Sequence, residues 1–316
     1  MPPTPALTFG AGRCEHPVGG VMDDDVVERR LIRPDGRVVA WLDCCVVDGT
    51  PVLKVPGTPG ARWDIREDRS DWISRGLRMI STERPGFGAS TRLPGRAFRE
   101  HADDLAAILD ACQIDRAYVV GGSGASAHIL SFLSRHPDRA VAATIMVGAA
   151  PLDENEVDGM IEINRTEWHL MQHGDREAVR ANLRPYWEES LADPLAGLRD
   201  VLDGGPEADR VVLQDQRWLA GIERSVREAL STEENFEAWI DESFALTLNW
   251  DDIDLMSITT SITWYHGRGD TTAPFSAAER LIGQLTTARL VEISDAGHLA
   301  GHDQVGEILD ELLSRG

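Results

Sequence analysis

The feature that most restricts this chain is a series of short, continuously apolar segments set between segments of helical periodicity. Val26–Ile32 and Arg37–Val47 flank Pro34-Asp35-Gly36 and read as strand, tight turn, strand. Val52–Val55, Leu77–Ile80, Ala117–Val120, Val141–Val147, Ile262–Tyr265 and Arg289–Ile293 read as six further short strands. Phe98–Cys112 has helical spacing, with Leu105, Ile108 and Leu109 on one face; Ala127–Leu133, Ser276–Leu285 and Gln304–Ser314 read as helices too. Strands with no polar alternation bury both faces, so the pattern predicts an α/β fold: a mostly parallel sheet covered by helices on both sides.

The alternation stops from about Pro151 to Asp251. That stretch is helical in character and holds Trp168, Trp187, Trp218, Trp239 and Trp250, five of the nine tryptophans. The sequence therefore predicts a core in two parts, 1–150 and 252–316, with a helical cap over 151–251. Residues 1–24, rich in Pro and Gly, are expected to form a loose arm, and Asp23-Asp24-Asp25 a solvated surface. The cap tryptophans are expected mainly to pack, since a small helical lid needs large apolar anchors.

Charge narrows the function classes. Thirty-one basic against 53 acidic residues give a net charge of −22, which repels phosphate backbones and anionic headgroups. No nucleic-acid or membrane partner is expected. No apolar run approaches the ~18 residues of a membrane span, and Met1–Gly20 lacks a basic cluster followed by an apolar stretch. The expected location is cytoplasmic. Cys14, Cys44, Cys45 and Cys112 have neither metal spacing nor a disulfide framework and read as reduced small hydrophobes, with Cys44 and Cys45 on opposite faces of a strand.

The segment Val119-Val120-Gly121-Gly122-Ser123-Gly124-Ala125 carries the chemistry. An apolar strand runs into a small-residue turn with Ser123 at its tip and a helix behind, the G-x-S-x-G nucleophile-elbow pattern with Ala125 in the last glycine's place. Small neighbours let strand and helix approach, and the helix amides favour developing negative charge near the hydroxyl. Serine needs a base, and the base an orienting carboxylate. Asp270 follows a strand in Trp264-Tyr265-His266-Gly267-Arg268-Gly269-Asp270; His298 follows the next in Ser294-Asp295-Ala296-Gly297-His298. Both leave carboxyl ends of strands, where open α/β sheets build their sites. Asp153 and Glu154, after the preceding core strand, compete for the acid's role. His266 and His128 read as structural, His169 and His173 as surface residues, and Asp295 as an exposed turn residue.

Five segments in order resemble the α/β-hydrolase superfamily, from Val26 onward. Gly57-Thr58-Pro59-Gly60 is similar to its oxyanion loop, usually HGxPG, and Arg84-Pro85-Gly86-Phe87-Gly88-Ala89-Ser90 to its RPGxGxS loop; the elbow, the Asp270 loop and the His298 loop complete the set. The resemblance implies an eight-stranded sheet with a helical cap. It implies Ser123 as nucleophile, His298 as general base then acid, and Asp270 as its orienter, with the backbone N–H groups of Thr58 and Gly124 as oxyanion hole. One departure stands out: Pro56 replaces the histidine that usually pins the oxyanion loop. The donor is a main-chain N–H and survives, but misalignment of one such donor costs about 3 kcal/mol of transition-state stabilisation.

The function expected is hydrolysis of a carboxylic ester or related acyl compound through an acyl-enzyme, with no metal or organic cofactor and a small, apolar acyl substrate as partner. Lactone or C–C bond hydrolysis and lyase chemistry use the same machinery, and a catalytically weak ligand-binding protein is the alternative outside enzymes. Epoxide hydrolases and dehalogenases need an aspartate nucleophile, which Ser123 is not. The sequence sets neither oligomeric state nor substrate identity.

Overall fold

The computed structural model describes residues 26–316. The loose arm, Cys14 and the Asp23–Asp25 run lie outside the described residues. Eight strands form one sheet: β1 (Val26–Ile32), β2 (Val38–Cys45), β3 (Thr50–Val55), β4 (Leu77–Thr82), β5 (Ala117–Gly122), β6 (Ala140–Met146), β7 (Ser261–Gly267) and β8 (Ala288–Ile293). Their order is β1-β2-β4-β3-β5-β6-β7-β8. β1 pairs antiparallel with β2 and β2 with β4, and every other pairing is parallel. The expected α/β-hydrolase sheet is present, with strand limits within three residues of those read from the sequence. β2 stops at Cys45 rather than Val47 because Cys45 takes φ of 75°.

That turn corrects one expectation. Cys44 and Cys45 do not face opposite sides; their sulfurs lie 3.8 Å apart, since a positive φ at the strand end swings the second side chain toward the first.

The sheet sorts its side chains by strand periodicity. Odd positions of β2 and β3, such as Trp41, Leu53 and Val55, join Val119 and Ile145 beneath α2 (Phe98–Ala111), α3 (Ala125–Arg135) and α10 (Phe275–Ile282). Even positions, Leu42, Cys44 and Val52, face the other way with Met79, against α1 (Ser70–Ile73) and α11 (Val305–Leu313).

Between β6 and β7 the chain runs through α4 (Glu154–Val157), α5 (Glu162–Gln172), α6 (Arg176–Ala192), α7 (Ala196–Gly204), a 3-10 turn (Glu207–Gln214), α8 (Gln216–Ala229) and α9 (Glu233–Leu248). This segment has its own apolar centre of Val179, Leu183, Trp187, Leu230, Phe236 and Ile240. Trp187 stacks on Phe236 at 5.0 Å and its indole N–H donates to the Leu230 carbonyl at 2.8 Å. Trp250 packs on Phe98. The expectation of packing roles holds for these two tryptophans, whereas Trp168, Trp218 and Trp239 also wall a cavity.

Candidate active site

Ser123 sits between β5 and α3 with φ of 54°, a left-handed backbone rarely adopted by serine. Its amide donates to the Met146 carbonyl, and its own carbonyl accepts from Ser126 and Ala149, so the turn is fixed from both sides. The small neighbours are sterically required. A Cβ on Gly121 would lie 2.6 Å from the Val55 carbonyl and 2.9 Å from the Ala125 methyl, and one on Gly124 would lie 2.4 Å from Thr58 Oγ1. Gly121 thus makes the room that lets alanine stand at 125.

The three predicted side chains meet. The Ser123 hydroxyl donates to His298 Nε2 at 3.0 Å, and His298 Nδ1 donates to Asp270 Oδ2 at 2.8 Å. Asp270 Oδ1 accepts from the amides of Thr272 and Ala273, both at 2.8 Å. Burial alone would raise the Asp270 pKa, but His298 and His266 beside it hold the carboxyl well below the usual carboxylate range. Burial likewise opposes charge on His298, yet Asp270 and, further off, Asp209 outweigh it and raise its pKa above the ordinary 6.5. His266 has the structural place expected. Its Nδ1 accepts the Trp264 indole N–H at 3.0 Å, which leaves its Nε2 proton for the Ala273 carbonyl and the nearby Asp270. Asp153 only caps α4 and, like Glu154, is exposed. His169, His173 and Asp295 are exposed as expected.

Thr58 and Gly124 face each other across the site. Among the described residues neither main-chain N–H donates to a protein acceptor, and both residues line the same cavity as Ser123 and His298. The loop without its histidine is pinned by a different group. The buried guanidinium of Arg84 donates to the carbonyls of Pro56, Gly57 (2.8 Å) and Gly60 (3.2 Å). Glu242, on α9, accepts from the Thr58 hydroxyl at 3.0 Å and pairs with Arg96, Arg84 and His128. Complete burial pushes Arg84 down to about 10, still protonated at neutral pH. Glu242 is also fully buried, but the hydrogen bond it accepts from the His128 N–H and the charges of Arg96 and Arg84 hold its carboxyl well below the usual range. His128, pushed down to about 4 by burial, stays neutral and links Glu242 to His101.

Sequence reasoning missed Arg84, Glu242 and Asp209 as supports of the site. Arg84 was visible only as part of the RPGFGAS match. Asp209, in the 3-10 turn, accepts from the amides on either side of His298, Gly297 at 2.8 Å and Leu299 at 3.2 Å. Nothing local marks it among the many acidic residues of that segment.

Two cavities meet at Ser123. One of about 390 Å³ lies under the helical segment, and one of about 280 Å³ runs toward the α1/α11 face of the sheet. Both include Ser123, His298, Trp218 and Ile222 in their walls. Among the described residues no group of three or more His, Cys, Asp or Glu side chains is arranged to hold a metal, and no helix is long and apolar enough to cross a membrane.

A family model described as the alpha/beta hydrolase fold matches residues 50–304. A 2-hydroxy-6-oxo-2,4-heptadienoate hydrolase of Pseudomonas putida is 27% identical over 79% of this chain and 83% of its own. A non-heme chloroperoxidase of Streptomyces lividans is 24% identical over 86% and 94%. Among solved structures, a 2-hydroxy-6-oxo-6-phenylhexa-2,4-dienoate hydrolase of a Rhodococcus species superposes with a TM-score of 0.65 at 17% identity, covering 92% of this chain and 99% of that one. A thermophilic esterase of Thermogutta terrifontis gives 0.60 at 19% identity, covering 91% and 98%. The chain belongs to the alpha/beta hydrolase fold family and is a hydrolase of that family.

Proposed function

We propose that this protein cleaves a carboxylic ester or closely related acyl compound through a covalent acyl-enzyme, with residues 151–251 acting as a cap over the site. The observation that carries this reading is the unbroken chain of hydrogen bonds from Asp270 through His298 to Ser123, which shares a cavity with Thr58 and Gly124, two residues whose amides have no protein acceptor among the described residues.

Ser123 Oγ attacks the acyl carbonyl while its proton passes to His298 Nε2. Asp270 keeps the other imidazole proton on Nδ1 and stabilises the imidazolium that forms. The carbonyl oxygen, now an oxyanion, takes hydrogen bonds from the Thr58 and Gly124 amides at the positive end of α3. His298 returns the proton to the leaving alcohol. Water then attacks the acyl-enzyme with His298 again as base, and Ser123 is released. No metal or organic cofactor has a part in these steps. The two cavities that meet at Ser123 suit an acyl group and an alcohol lodged on opposite sides of the reacting carbon.

The test is turnover of short p-nitrophenyl esters and labelling by a fluorophosphonate probe. Wild-type protein is expected to do both and Ser123→Ala neither; equal turnover by the variant overturns the reading.

A further inference from the structure

Glu167, on α5, faces the larger cavity without a counter-charge. Its Oε1 is shielded from solvent and has no hydrogen-bond partner among the described residues. A buried carboxyl left in this state costs stability unless something else satisfies it. Burial pushes its pKa up to about 7, and only the Ser243 hydroxyl on α9 offsets that rise. The mechanism proposed for Ser123 makes no use of this group.

The rest of the wall indicates what it meets. Four carboxyl side chains, Asp64, Glu167, Glu189 and Asp200, line the cavity, and among the described residues no lysine or arginine does. Asp64 already has a partner in Lys54 at 2.7 Å, while Glu189 and Asp200 are exposed. At the Glu167 wall, away from the Thr58 and Gly124 amides, an anion would meet charge of its own sign, and a neutral donor would gain one hydrogen bond. A cation gains the field as well. Trp168 and Trp239 stand in the same wall, and aromatic faces attract ammonium groups.

We infer that Glu167 is a recognition group for a protonated amine, so that the compounds cleaved at Ser123 carry one in the part that lodges under the helical segment. As a statement about substrate this rests on the acyl-transfer reading; as a statement about binding it does not. Neutral and anionic acyl compounds of the same size are the poorer ligands of this cavity.

Calorimetric titration of the full chain at about pH 8, where both a carboxylate and an alkylamine are charged, decides the binding. The probes are n-hexylammonium, n-hexanol and hexanoate. Hexylammonium is expected to bind about tenfold or more tightly than hexanol, with hexanoate weakest, as for a charge-assisted hydrogen bond in a shielded site. In Glu167→Gln the ammonium preference should disappear, with folding checked by thermal melting and by probe labelling of Ser123. Equal binding of the three ligands by wild-type protein overturns the inference without any variant, and so does a preference that survives in Glu167→Gln. In parallel, p-nitrophenyl 6-aminohexanoate is expected to exceed p-nitrophenyl heptanoate in kcat/KM. Cleavage of neither ester would sink the acyl-transfer reading and leave the calorimetry to judge Glu167. Cleavage of both at equal efficiency would sink the Glu167 inference alone.

Discussion

The wall of the site built on the sheet and the wall built by the helical segment rest on different physical terms. Ser123, Asp270 and His298 leave the ends of β5, β7 and β8, and their positions follow from backbone pairing and from close approaches that admit no larger side chain. The helical wall acts at longer range and through charge. Asp209 grips the amides flanking His298, and Glu242 reaches down from α9 to the Thr58 hydroxyl and Arg84. In the mechanism proposed above the sheet supplies the reacting groups, and the helical segment fixes the two loops that carry His298 and Thr58. On that proposal the helical segment shapes the reacting geometry as well as covering it.

The largest effect should come from the sheet side. Asp270→Asn keeps the shape but reverses the polarity toward His298 Nδ1, which favours the wrong tautomer. A fall in kcat of about 10⁴-fold is expected from steady-state ester hydrolysis. A fall below tenfold would show that the carboxylate contributes little, and that the two walls matter about equally.

Arg84 is the joint between the walls, and its removal should come second. Arg84→Lys keeps the charge beside Glu242 but cannot reach the carbonyls of residues 56, 57 and 60 together. Misplacing the Thr58 amide should lower kcat by about 10²-fold with a much smaller change in KM if, as proposed, that donor acts on the developing oxyanion. A rise in KM at unchanged kcat would mean that the loop shapes substrate binding instead.

The difference between the walls also explains what the sequence made legible. Central strands buried on both faces leave apolar runs, the edge strands β1 and β8 keep enough apolar residues to be read beside them, and the elbow glycines mark a turn whose strand and helix must approach closely. The loop at Pro56 illustrates the limit. Its missing histidine is visible, but the replacement pin comes from 28 residues away along the chain and is itself neutralised by Glu242 far downstream. Asp209 and Glu167 are two acidic residues in a chain with 53. Only the packing of the helical segment separates these two from the solvated acidic residues around them in sequence, and amphipathic periodicity carries no record of that. Helix existence was legible there, while side-chain direction toward the cavity was not.

Asp209 gives the smallest expected effect and the finest test of the comparison. His298 must be neutral to accept the Ser123 proton, so kcat/KM should rise with pH through the imidazole pKa, which lies above 6.5 in this protein. Below that pKa the imidazolium dominates and activity is lost; above it the base is available. Asp209→Asn removes the more distant of the two carboxylates that raise this pKa and keeps one acceptor for the loop amides. The acid limb should therefore move to lower pH, and kcat on the alkaline plateau should fall by about tenfold or less as the loop loosens. An unmoved limb with a large loss of plateau activity would show that Asp209 acts by holding backbone alone, with its charge immaterial to the base.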